Sequence, residues 1–88
     1  MSDIEKQFEE AAADAKTLAE KPDNETLLKL YALYKQGTDG DVHGEQPGFM
    51  DFVGRAKYEA WKELEGKDKN EAMQEYVGLV SKLKGRMA

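Results

Sequence analysis

The chain of 88 residues contains no cysteine, which excludes disulfides, thiolate metal ligands and a cysteine nucleophile. It has one histidine, His43, and two serines, Ser2 and Ser81, so there is little from which to assemble a nucleophile and its base. β-Branched residues are scarce, with a single isoleucine, and the alternating pattern of a half-buried strand is absent. No apolar run approaches the roughly 18 residues of a bilayer-spanning helix, and the opening Met1 to Lys6 is charged and polar rather than secretory. With 18 acidic against 13 basic side chains, the net charge of -5 repels nucleic acid. These absences predict a cytoplasmic protein, most simply a monomer with no nucleic-acid partner, forming one domain over residues 1–88 with one modest core.

Helical periodicity covers most of the chain, and the fold class is all-α. The spacing predicts a first helix capped by Ser2, with Glu5 completing a capping box. Ile4, Phe8, Ala11, Ala12, Ala15 and Leu18 share one of its faces. Pro22 ends this segment, and Asp23 or Asn24 caps a second helix whose apolar residues Leu27, Leu28, Leu30, Tyr31, Leu33 and Tyr34 spread over more than one face. Such a helix needs two things to bury against. Gly37 lies near its end, and a long polar connection runs from Asp39 to Gly48. A third helix is predicted from an Asp51 cap to a stop at Gly66. The fourth starts at Asp68 with Glu71 and carries Met73, Tyr76, Val77, Val80, Leu83 and Met87 as a stripe. Four helices with short links and one long link make a small bundle.

Catalytic and metal chemistry find little support. Carboxylates such as Glu9, Glu10 and Asp14 fit the solvated face of an amphipathic helix. The run Asp39-Gly40-Asp41-Val42-His43-Gly44-Glu45 breaks the ligand register of a calcium-binding loop. The tyrosines are different. Tyr31, Tyr34 and Lys35 stand at i, i+3 and i+4, on one side of the second helix within a turn. An aromatic face stacks on a nucleobase and a lysine supplies a compact charge to a phosphate, so the trio suits a nucleotide. The same spacing also serves tyrosines that pack into a core with their hydroxyls reaching water.

A longer pattern bears on that choice. Tyr31-Ala-Leu-Tyr34-Lys35-Gln36, then Thr38-Asp39-Gly40-Asp41, then the unbroken run from Pro47 through Phe49, Asp51-Phe52, Lys57 and Tyr58 to Trp61, resembles the signature of acyl-CoA-binding proteins. The resemblance extends to Phe8, Lys16, Leu18, Lys21-Pro22, Asn70-Glu71-Ala72-Met73 and Tyr76. It implies a small up-down four-helix bundle with an open groove, and a ligand that is a medium- to long-chain acyl-CoA thioester, with no cofactor and no catalysis. It places the head group, with its adenine and 3'-phosphate, near Tyr31, Tyr34, Lys35, Lys57 and Tyr76, with Lys16 reaching it from the first helix. Leu27 and Leu28 would touch the acyl chain, and Phe8, Ala12, Ala15, Leu18, Tyr76, Val77, Val80 and Leu83 would form the seam between first and fourth helices.

The chain departs from the family pattern at Val53, where a lysine is frequent, at Gln46 for arginine, at Gly37 for alanine and at Tyr58 for tryptophan. Val53 and Gln46 remove two cations from the rim, so Lys35 and Lys57 become the principal positive charges. Lys67, Lys69, Lys82, Lys84 and Arg86 read as solvated or helix-end charges. The expected function is a soluble intracellular carrier and pool-former for acyl-CoA, in transient contact with acyl-CoA-using enzymes or membranes. The alternative is a helical interaction module that docks an amphipathic partner helix in the same groove. An enzyme acting on acyl-CoA ranks last, because no nucleophile or general base can be nominated.

Overall fold

The structure is a computed structural model describing residues 3–85. Four helices follow one another: α1 (Asp3–Ala15), α2 (Asn24–Asp39), α3 (Phe52–Lys62) and α4 (Lys69–Gly85). The all-α bundle expected from the sequence is the fold observed. Helix α4 lies between α1 and α2 and packs against both, while α2 carries α3 on its other side. The result is a shallow body with Cα extents of 40 × 30 × 16 Å. Among the described residues no helix is long and apolar enough to cross a membrane.

Local chemistry sets most helix starts. Asp23 is the N-cap of α2, its carboxylate accepting from the Thr26 amide at 2.8 Å. Asp51 caps α3 in the same way, accepting from the Gly54 amide at 2.9 Å. At α4 the Asp68 carboxylate accepts from the Asn70 amide at 3.1 Å. The Ser2 cap expected for α1 lies outside the described residues, as do Arg86 and Met87.

Two helix ends differ from expectation. Helix α1 stops at Ala15 rather than running through Leu18. The Thr17 hydroxyl donates to the Asp14 carbonyl at 3.1 Å, and the Lys16 and Thr17 amides turn back to Ala13 and Asp14, so the last turn tightens. Leu18 still reaches the core from beyond the helix. Helix α3 ends at Lys62, and turns through Leu64 and Glu65 lead to Gly66, whose φ of 92° supplies the reversal.

The core is the α1–α4–α2 seam: Phe8 and Ala11, Leu30 and Leu33, and Ala72, Tyr76, Val80 and Leu83. Ala12, Ala15, Leu18 and Val77 pack at its edge, which completes the seam read from the sequence. Gly37 belongs here rather than to a frayed end. It is buried inside α2, where a Cβ would stand 3.2 Å from both Met73 Cγ and Phe8 Cζ. Its missing side chain lets α1 and α4 close over α2.

Gln36 is the one fully buried polar side chain among the described residues. Its amide nitrogen donates to Asp41 Oδ1 at 2.9 Å and to the Lys67 carbonyl at 2.8 Å, two acceptors that fix the orientation of the amide. Asp41 Oδ1 also accepts from the Gly66 amide at 2.8 Å. Three connections therefore meet at one side chain: the end of α2, the loop after it, and the turn between α3 and α4.

Candidate functional site

Helix α2 positions the site, because it is the element shared by both halves of the bundle. Its buried residues Leu30, Ala32 and Leu33 anchor it. At its start Leu27 and Leu28 are only half-buried. They line an apolar cleft of about 390 Å³ with Asn24 and, from α3, Phe52, Val53, Ala56 and Lys57. Phe52 and Val53 are 69% and 66% exposed, so this cleft is open to solvent along α3. Val53 contributes apolar lining where the resemblance would place a lysine.

One turn further along α2 come the rings and cations. Lys57 Nζ lies 5.3 Å from the centroid of the Tyr31 ring, and Lys35 Nζ lies 4.9 Å from that of Trp61. Each helix of the α2–α3 pair thus places a lysine over an aromatic ring of the other. Lys57 has a double position: its stem lines the apolar cleft while its ammonium sits over Tyr31.

Tyr34 and Tyr76 divide their roles by exposure. Tyr34 is 42% exposed and Tyr76 only 5%. The Tyr34 ring stacks on Phe8 with centroids 5.4 Å apart, and Tyr76 meets Phe8 edge-on at 5.1 Å and Tyr34 at 6.0 Å. Burial pushes the Tyr76 hydroxyl pKa up, with a further contribution from Tyr34, so it stays neutral. Tyr76 supports from behind a ring whose other side is open. Lys16, exposed beyond the end of α1, lines a second cleft of about 700 Å³, of mixed polar and apolar character, together with Phe8, Tyr34, Lys69 and Met73.

The six positions expected for a head group are thus linked through α2 but do not line one cavity. Lys16 and Tyr34 line the mixed cleft, Lys57 and Tyr31 adjoin the apolar one, Lys35 lines neither and points to Trp61 and Asp39, and Tyr76 is core. Sequence reasoning missed Trp61, whose buried indole donates to the Gly40 carbonyl at 2.8 Å and carries the Lys35 contact. His43 packs edge-on against that indole at 5.3 Å, so the start of the long connection is tied to α3. Lys69 is an exposed charge at the helix end, as the sequence suggested, and it also lines the second cleft, a neighbourhood that spacing does not show. Among the described residues no group of three or more His, Asp or Glu is arranged to hold a metal ion.

The arrangement sets an apolar cleft beside aromatic faces and positive charge, a surface of mixed apolar and cationic character. Comparison with known proteins agrees in kind. A family model described as "Acyl CoA binding protein" matches residues 5–80. The chain is 51% identical over 76 residues to acyl-CoA-binding protein homolog 1 of Caenorhabditis elegans, covering 86% of this chain and 88% of that one. It is 47% identical over 85 residues to the acyl-CoA-binding protein of Ricinus communis, covering 97% and 94%. The crystal structure of Oryza sativa acyl-CoA-binding protein 2 superposes with a TM-score of 0.91 at 44% identity, over 96% of this chain and 93% of that one. A groove-bearing bundle built on these residues, matched in sequence and in fold over nearly its whole length, belongs to the acyl-CoA-binding protein family.

Proposed function

We propose that this protein binds medium- to long-chain acyl-CoA thioesters as a single, monomeric domain. It acts in the cytoplasm as a carrier and pool-former that leaves the thioester intact. The observation that carries this reading is the position of Lys57, which borders the apolar cleft with its stem and holds its charge over Tyr31. Tail site and head site meet at one residue, as an amphiphile with a polyanionic head requires. In a protein of net charge -5, such a ligand has to be drawn by a local cluster of cations.

The tail dominates affinity. Each buried methylene contributes about 0.8 kcal/mol, so a dozen contribute on the order of 10 kcal/mol before the ordering cost of the chain is subtracted. One base stacked on Tyr34 or Tyr31 contributes about 1 to 3 kcal/mol. Affinity therefore rises with chain length until the cleft is filled, and free CoA binds far more weakly. Transient contact with acyl-CoA-using enzymes or membranes would be made at the open cleft, beside which Phe49, Met50, Phe52 and Val53 are exposed. A partner helix in the same groove would use the leucines but would have no need of Lys57 over Tyr31.

Calorimetric titration of the delipidated protein with a saturated long-chain acyl-CoA below its micelle threshold tests the proposal, with free CoA and the matching fatty acid as controls. Tight one-to-one binding of the acyl-CoA alone is expected, weakened by Tyr31→Ala and by Lys35→Ala. If both variants bind as the parent does, the head-group assignment is wrong. Absence of heat and of competition would point to the protein-docking alternative.

A further inference from the structure

Lys35, one of the two principal cations of the proposed head-group site, is engaged by a carboxylate of its own helix. Its ammonium is 2.6 Å from Asp39 Oδ2, with the two side chains 28% and 39% exposed. The pair is not explained by helix stability. Asp39 is the last residue of α2, where the negative end of the helix dipole disfavours a carboxylate. The order Lys then Asp at i, i+4 is also the weaker orientation for a helical ion pair. Asp39 is instead surrounded by basic groups from several elements. Lys35 is bonded to it, Lys69 acts on it as a further positive charge with the His43 ring also near, and the Lys69 stem passes 3.3 Å from where a Cβ on Gly40 would stand. Lys35 holds the Asp39 carboxyl below its usual range, and Asp39 raises Lys35 in turn.

We infer that Asp39 is an internal counterion that occupies the cation site and competes with the ligand's phosphate for Lys35. This rests on the acyl-CoA reading and names a residue that sets the strength of its head-group contact. A phosphate approaching Lys35 must break the bond to Asp39 and then lie beside a like charge, so Asp39 lowers affinity for anionic heads in favour of the tail. The Gly40 backbone that follows is held by Gln36 and Trp61, so it is the Asp39 side chain that must turn aside.

The test is a titration of the full chain with a long-chain acyl-CoA at low and at physiological salt, in the parent, Asp39→Asn, Lys35→Ala and the double variant, with thermal melts of each. Asp39→Asn keeps a residue suited to a helix end and is expected to fold. It should tighten binding about three- to tenfold at low salt, with a smaller gain at physiological salt. The gain should vanish in the Lys35→Ala background. An Asp39→Asn protein that binds no more tightly than the parent, or that gains equally without Lys35, overturns the inference while leaving the carrier reading intact. A parent that does not bind acyl-CoA overturns both.

Discussion

The two sides of α2 are built from similar residues and treated in opposite ways. Toward α1 and α4, Leu30 and Leu33 disappear into a seam with Phe8, Ala72, Tyr76, Val80 and Leu83. Toward α3, Leu27 and Leu28 face a cleft that Phe52 and Val53 border without closing, and Trp61 is the one buried residue α3 contributes. The first side supplies stability and the second leaves apolar surface unpartnered, which a bundle selected for stability alone would have covered. Helix α3 is held instead by an indole, its hydrogen bond to Gly40 and two lysines over rings.

The sharpest way to break this contrast is to truncate one leucine on each side. Leu33→Ala removes a side chain that is 1% exposed and should cost about 2 to 5 kcal/mol in a denaturant melt. Leu28→Ala should cost roughly 1 kcal/mol or less while weakening long-chain acyl-CoA binding, because its neighbours are solvent and an open groove. Equal stability losses would mean that the cleft is part of the core. Next in size, Trp61→Phe keeps a ring but leaves the Gly40 carbonyl without its indole donor, at about 1 to 3 kcal/mol. Hydrogen exchange should then rise in α3 before it rises in α4.

Gly37→Ala sharpens the closed side. Alanine gains about 1 kcal/mol of helix propensity, but its methyl meets Met73 and Phe8 at 3.2 Å, and crowding of that kind costs about 1 to 3 kcal/mol. A net loss near 1 kcal/mol is expected by thermal melt, and a net gain would show that Met73 and Phe8 move aside freely.

The smallest effect is acid sensitivity at the junction around Gln36. The Gly66 amide first, and Gln36 second, hold the Asp41 carboxyl below the usual aspartate value of about 3.9. The unfolded chain therefore takes up this proton first. The stabilisation is fully present above the unfolded value and is lost as pH falls through the lower folded value. Melts of the parent and Asp41→Asn should differ at neutral pH and converge on acidification through that window, and a constant difference would remove Asp41 from the acid limb.

How far the sequence speaks follows from the range of each interaction. Asp23 and Asp51 were legible as caps because a cap bonds an amide three residues away. The two-faced character of α2 was legible because its leucines and tyrosines cover too wide an arc for one partner. The end of α1 was not, since the Thr17 hydroxyl competes with a face that Leu18 continues in sequence. The sequence placed Gly37 only as a residue near a helix end, because nothing nearby in the chain announces Phe8 and Met73.

By itself, then, the sequence determined the four helices, the caps of α2 and α3, and the placing of Tyr31, Tyr34 and Lys35 on one turn, which depend on neighbours within a few residues, and the family, which depends on a pattern carried along the whole chain. Only the tertiary structure decided that Tyr34 is the open ring and Tyr76 the buried one, and that Trp61 and Lys57 complete the lysine-over-ring pairs across α2 and α3. It also brought His43 and Lys69 near the Lys35–Asp39 pair, which itself follows from i, i+4 spacing on α2. Those outcomes depend on side chains brought together from different helices, and packing across the bundle, not spacing along the chain, sets which of them meet.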